Sequence, residues 1–248
     1  MLSIMRFRFL VGALLAVLAV PGEGHCQQSL FNVPAGLITP RGKAFVQEQL
    51  TLSLHDGESN TSLAYGVSQW LEVGLNVLHV PLYREEAEPG SGLHANAVLA
   101  HASVSLHATP WATLFVGGAG GVGEDRENNP NLVTQGWALT RLEAPGRWGS
   151  YVVGAYLGIP SAIGHGFPIG GLLGVEIPII AERLSFLGDW VVGNNTLSVA
   201  VVGLVVFIGP RVQISAGAQL PSPGTNNPLG GVLELTYVPI AETRAKHL

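Results

Sequence analysis

The sequence predicts an all-β protein: a closed antiparallel up-and-down transmembrane β-barrel of about twelve strands, within a range of ten to fourteen. Three observations carry the prediction. The first is high hydropathy without helix-length spans. The 248 residues are 47% hydrophobic and only 12% charged, and the mean hydropathy is +0.36. Yet past the N-terminal segment no run approaches the ~18 apolar residues that a spanning helix needs. The most apolar run, Leu197 to Ile208, is Val-rich and broken by Gly203, which suits a strand better. The second observation is period-two alternation of polarity, since strands of about 9 to 11 residues cross hydrocarbon when closure pairs every backbone N–H and C=O. The third is an alternation of mostly long and mostly short connectors, which Ala144 to Gly149, a longish turn, and Gly193 to Asn195, a short loop, fit less well.

In chain order, residues 1–26 read as a signal peptide: Arg6 and Arg8 form a basic start, Phe9 to Val20 an apolar stretch, and Pro21 to Gly24 a small-residue break. Cys26 raises the alternative of an acylated lipoprotein, but Glu23, Gly24 and His25 do not resemble the residues that precede such a site. As the single cysteine it also excludes an intrachain disulfide and a Cys-rich metal site. Residues 27–43 form a Pro- and Gly-rich lead-in, either periplasmic or inside the lumen. The barrel occupies 44–240, and 241–248 return to the periplasm as a tail.

The strands are expected near 44–54, 61–67, 71–83, 94–107, 111–120, 132–143, 150–158, 169–178, 183–192, 196–208, 211–219 and 230–239. The long connectors are His55 to Asn60, Arg84 to Gly92, Gly121 to Asn131, Ile159 to Pro168 and Leu220 to Leu229. The short ones include Ser68 to Trp70, Ala108 to Pro110, Ile179 to Glu182 and Gly209 to Pro210. External loops and tight periplasmic turns differ in this way. The long loops carry acidic charge in Asp56, Glu58, Glu85, Glu86, Glu88, Glu124, Asp125 and Glu127, read as ordinary solvation rather than a cation site.

Alternation assigns the faces. Val46, Leu50, Leu52 and Leu54 oppose Gln47, Gln49, Thr51 and Ser53; Leu71, Val73, Leu75 and Val77 oppose Glu72, Gly74 and Asn76. This is apolar-out, polar-in. The lumen-lining candidates are therefore Gln47, Gln49, Glu72, Asn76, His101, Arg141, Glu176, Asp189, Arg211, Gln213 and Glu234. Glu48 falls on the apolar face, so a bulge turning it inward or a place near an interface is expected. Trp70, Trp111, Trp148, Trp190 and Tyr237 sit at strand ends, as girdle aromatics do. Gly117, Gly118, Gly120 and Gly121 are read as close backbone approach; no helix follows them to bind an anion.

Catalysis is not expected. His101 shares a face with Ser103, Ser105 and His107, as an acyl hydrolase of the outer membrane would require. But residues two apart on a strand are ~6.5 to 7 Å apart at the backbone, and an orienting third group is missing. His101 and His107, six apart along the strand, are too distant to share a metal ion. No cofactor is called for. The net charge of -5 and 12 Lys and Arg against 17 Asp and Glu exclude nucleic acid as a partner; the partners expected are outer-membrane lipids, lipopolysaccharide and a small solute.

Trp70-Leu71-Glu72-Val73-Gly74-Leu75-Asn76-Val77, preceded by Asn32-Val33-Pro34-Ala35-Gly36 and by Gly42-Lys43, resembles the opening of the barrels grouped as the MetA-pathway of phenol degradation transporter-like family. More broadly, the pattern across residues 30–240 resembles small Gram-negative outer-membrane barrels. The resemblance implies a porin-like channel for small, even apolar, solutes and transfers no binding residues. The polar tail after Tyr237 departs from barrels that end on an aromatic residue. The function expected is passive passage of small solutes. The alternatives are a structural or surface-interaction barrel without a pore and, behind it, a lipid-modifying hydrolase.

Overall fold

The computed structural model describes residues 30–84, 96–124, 129–146 and 148–239. Residues 1–26, expected to be a signal peptide, the acidic cluster Glu85, Glu86 and Glu88, Asp125, Glu127 and the segment 241–248 lie outside the described residues. Twelve strands form: β1 (Ala44–Ser53), β2 (Asp56–Gly66), β3 (Leu71–Arg84), β4 (Ala97–Thr109), β5 (Ala112–Glu124), β6 (Pro130–Glu143), β7 (Ser150–Gly158), β8 (Ile169–Ile180), β9 (Leu184–Val192), β10 (Val199–Ile208), β11 (Val212–Pro221) and β12 (Gly230–Tyr237). Each pairs antiparallel with its sequence neighbours, and β1 closes on β12 from Val46↔Tyr237 to Ser53↔Gly230. The predicted fold class therefore holds. Closure leaves no open strand edge and satisfies the ladder on both sides of every strand.

β1 starts and β12 finishes at one end, the terminal end; the other is the loop end. Connections at the terminal end are short, such as the turns at Pro110–Trp111 and 181–183. Those at the loop end are mostly longer; one, 159–168, includes a single-turn helix, α1 (Pro160–Ile163). One connector differs from expectation. β2 begins at Asp56, so only Leu54 and His55 link β1 to β2, and Asp56 and Glu58 lie on a strand rather than in a loop. Asp56 to Asn60 lacks any large apolar residue, so polarity gave no sign of the strand. Its ladder to β1 and the Ser53 side chain, which accepts the N–H of Asp56 at 3.0 Å, hold it.

The outer face is apolar along every strand, with Val46, Leu63, Val73, Leu75, Val98, Val116 and Leu233 among the exposed large side chains. Aromatics cluster on its terminal end: Tyr65, Trp70, Trp111, Trp148, Tyr151 and Tyr237 are all exposed there, whereas Tyr83, Phe167 and Trp190 mark the loop end. Glu48 stays on the outer face, where Ser59 and Thr61 of β2 both donate hydroxyl hydrogen bonds to it. No bulge turns it inward; β1 runs in unbroken register against both neighbours. The nearest register shifts lie instead between β2 and β3, one of them beside His79, which has φ of 59°, and others lie between β4 and β5 and between β8 and β9.

The interior corrects the polar-in expectation. Polar side chains line the inside of β1, β3, β11 and β12, but β7 to β10 turn Val152, Leu172, Leu187, Val191, Val201, Val205 and Phe207 inward. These join Phe115 and Leu139 in one buried apolar cluster, and that cluster also contains Leu30, Phe31, Val33 and Ala35 of the lead-in. Alternation therefore gives the direction correctly, while the inward face of β5 to β10 mixes large apolar side chains with Arg141, Glu176 and Asp189. The apolar ones pack in one cluster with the lead-in, and Leu172 and Val191 also line a cavity.

Candidate functional site

The site is the lumen, and the lead-in shapes it. Residues 30–43 enter from the terminal end and rise to mid-height. At the base, Thr39 donates its N–H (2.8 Å) and its hydroxyl (2.9 Å) to Oε2 of Glu72 on β3. Higher up, Nη1 of Arg141 on β6 donates to the Ala35 carbonyl at 3.0 Å. At the top, Oδ2 of Asp189 on β9 accepts the N–H groups of Asn32 (2.5 Å) and Val33 (2.8 Å), and Nε2 of Gln49 on β1 donates to the Phe31 carbonyl at 2.9 Å. Buried backbone polar groups need such partners. The wall supplies them from four strands spread around the ring.

The wall also makes room for the segment. Gly66 pairs with Arg41 in an isolated parallel bridge and donates to the Lys43 carbonyl at 3.1 Å. A Cβ on Gly66 would lie 2.3 Å from the carbonyl oxygens of both Thr39 and Pro40, so only glycine admits the lead-in backbone there.

Ten of the eleven predicted lining residues do face inward. Gln47, Gln49, Glu72, Arg141, Glu176, Asp189, Gln213 and Glu234 are buried, and Asn76 and His101 are partly buried. Most hold structure rather than line open water. Glu72, Arg141, Asp189 and Gln49 anchor the lead-in. Glu234, fully buried, accepts from Nε2 of Gln47 (2.8 Å) and of Gln49 (3.2 Å). Arg141 also pairs with Glu143 at 2.5 Å and approaches Glu176 at 3.9 Å. Arg211 is the exception. It is exposed in the turn before β11 and donates to the Tyr237 hydroxyl at 3.2 Å; although it shares the parity of Gln213, it lies beyond the end of the strand, where alternation no longer fixes direction.

Above the lead-in a cavity of about 320 Å³ remains, floored by Phe31, Asn32, Pro34 and Leu37. Its polar arc comes from β1 to β4, with Gln47, Gln49, Asn60, Ser62, Asn76 and Ser103. The facing arc is mainly apolar, with Phe115, Trp137, Tyr156, Leu172 and Val191 from β5 to β9, and the Gln135 amide of β6 stands beside Trp137 in it. In a ring of twelve, β1 to β3 stand across from β7 to β9, so the two arcs confront each other. A smaller cavity of about 130 Å³ shares Asn32, Asn60, His79 and Leu197 with the first and is lined by Ser53, Asp56, Asn227 and Pro228 at the loop end. The two cavities adjoin through these four residues, the smaller lying nearer the loop end.

Sequence reasoning missed Trp137 and Tyr156, which lie mid-strand and point inward. Trp137 fits because its indole lies over Gly117, its partner on β5; a bulky inward residue opposite a glycine was the available signal. His101 and Ser103 both line the chamber, but His101 lies against Gly74 and its Nδ1 has no hydrogen-bond partner among the described residues. Nothing orients it as a base. Among the described residues no three His, Cys, Asp or Glu side chains converge on one point as metal ligands would.

No protein-family model, curated protein or solved structure matches the chain.

Proposed function

We propose that the chain is an exported outer-membrane barrel that admits a small solute from the loop end into its chamber, with the lead-in acting as a plug that closes the terminal end. The observation that carries the reading is the seating of residues 30–43 inside the wall, on side chains from β1, β3, β6 and β9. The membrane assignment is supported by the apolar outer face, by the aromatic belt at the terminal end and by the signal-like start of the sequence. The barrel acts without catalysis in this reading, and passage replaces the open porin lumen with a plugged one.

The test is conductance in planar bilayers and solute-driven swelling of liposomes, comparing the intact mature chain with a form lacking residues 27–38. The intact chain is expected to be nearly silent and the shortened one to conduct steadily. Steady conductance from the intact chain would show that the lead-in does not close the barrel. Silence from a folded, shortened chain would instead favour a filled scaffold, the reading to which the continuous apolar packing of Leu30, Phe31 and Val33 against the wall belongs.

A further inference from the structure

We infer that the chamber is a binding site for a small neutral polyhydroxylated ring, a saccharide, held with its C–H face on the aromatic arc and its hydroxyls on the amide arc. The inference deepens the solute-passage reading and rests on it for the route of entry.

The chamber's volume, about 320 Å³, falls in the range of small-molecule sites. Its chemistry selects the occupant. One arc carries three aromatic rings, Phe115, Trp137 and Tyr156, and the negative quadrupole of a ring face attracts the weakly positive C–H edges of a sugar ring. Tyr156 is fixed there by donating its hydroxyl to Asn195 at 3.0 Å, so its ring, not its oxygen, is what the chamber meets.

The polar groups are equally selective. Gln47, Gln49 and Glu72 are already engaged by Glu234 and the lead-in. Asn76, Gln135 and Ser62 also line the chamber and make no side-chain hydrogen bond to other described residues. Together they offer amide and hydroxyl donors and acceptors in comparable number, as several hydroxyl groups on one ligand require. A purely apolar ligand would strip water from these groups without replacing it, which costs about 1 to 3 kcal/mol for each. An anionic ligand finds no counter-charge, since among the described residues no Lys or Arg lines the chamber. A cation competes for Glu72, whose Oε2 already takes two hydrogen bonds from Thr39.

The room itself is built. A Cβ on Gly74 would lie 2.3 Å from Cε1 of His101, and one on Gly117 would lie 2.6 Å from Nε1 of Trp137. The two rings fold into glycine niches in the wall, and the space they would otherwise fill stays open.

The experiment titrates the full mature chain in detergent with glucose and maltose, and with benzoate and spermidine as charged comparisons, by isothermal calorimetry. Trp137 fluorescence serves as a second readout. Saturable sugar binding is expected, weakened at least tenfold in Asn76→Leu and in Gln135→Leu. Both variants should keep the heat-modifiable mobility of a folded barrel. A Trp137→Phe chain should lose the fluorescence change and bind sugar more weakly by calorimetry, because a smaller ring then stands in the aromatic arc. Sugar binding unaltered in the two leucine variants, no sugar binding at all, or a preference for benzoate or spermidine would each overturn the inference. Because the titration needs no transport, sugar binding by the intact chain together with silence from the folded, shortened one would sink the passage reading alone, and conductance of the shortened chain without sugar binding by the intact one would sink this one alone.

Discussion

Asp189, on the inner face of β9, accepts the backbone N–H of Val33 at 2.8 Å, although 156 residues separate the two. The same oxygen takes the Asn32 N–H, and the other carboxylate oxygen has no partner among the described residues. A carboxylate that is buried and committed to the lead-in serves the lead-in's position before any solute's.

Replacing Asp189 with Ala should therefore free the upper lead-in while leaving the barrel closed. Hydrogen bonds to charged groups contribute about 1.5 to 3 kcal/mol each, and part of that returns when the charge itself is removed. A net weakening of about 2 kcal/mol multiplies the displaced fraction roughly thirtyfold. Limited proteolysis of residues 30–38 in the folded, detergent-solubilised protein measures it. An unchanged cleavage rate in the variant would mean that packing of Leu30 and Phe31 alone holds the segment.

Gly66 tests the base of the same segment. A methyl group there would meet the carbonyl oxygens of Thr39 and Pro40 at 2.3 Å. Because these are backbone atoms, relief requires the chain to move and the Thr39–Glu72 hydrogen bonds to break. Gly66→Ala is expected to cost about 1 to 3 kcal/mol, the usual range for overpacking, and to raise bilayer conductance above that of the parent. A conductance identical to the parent's, with the barrel folded, would show that the lead-in base yields without opening a path.

The barrel was legible in the sequence because, in the outer-membrane reading proposed above, one face has to meet hydrocarbon. That requirement writes Val46, Leu50, Val73 and Leu75 at every second position, and it placed the twelve strands with errors mostly at their ends. The inner face obeys a weaker rule. Its residues need only complement whatever fills the lumen, and Val201, Val205 and Phe207 complement Leu30 and Phe31 as well as Gln47 complements Glu234. No local pattern announces that pairing, since the partners are some 170 residues apart in sequence. For the same reason Glu72, Asp189 and Arg141 could be assigned to the lumen but not to the lead-in they hold. Arg211 was misplaced because parity carries no information beyond the last paired residue.

The outer-face carboxylate offers a third prediction. Glu48 is tolerated among apolar neighbours because Ser59 and Thr61 each donate a hydroxyl to it. Removing both donors in a Ser59→Ala/Thr61→Ala chain leaves an unpaired charge facing lipid, with an expected loss of about 2 kcal/mol, toward the lower end of the range for charges in the bilayer. Adding Glu48→Leu to that pair should recover most of the loss. Urea unfolding from liposomes reads both, and equal stability of the parent and the double variant would refute the pairing as the reason Glu48 survives there.

The aromatic belt predicts where each indole resides. Trp70, Trp111 and Trp148 are exposed on the outer face of the terminal end, with Trp148 at 69% exposure, while Trp137 faces the chamber. Lipids brominated near the headgroup should quench a chain that retains only one of the first three, because such rings sit at headgroup depth. A chain that retains only Trp137 should resist bromine at every depth, since the wall of β5, β6 and β7 stands between its indole and lipid. Quenching of Trp137 by mid-chain bromine, in a protein that still shows the folded mobility shift, would place that side chain outside the barrel and with it reverse the inward face of β6. Because parity along a strand is shared, Gln135, Leu139 and Arg141 would then turn outward together, and the contact of Arg141 with Ala35 could not exist.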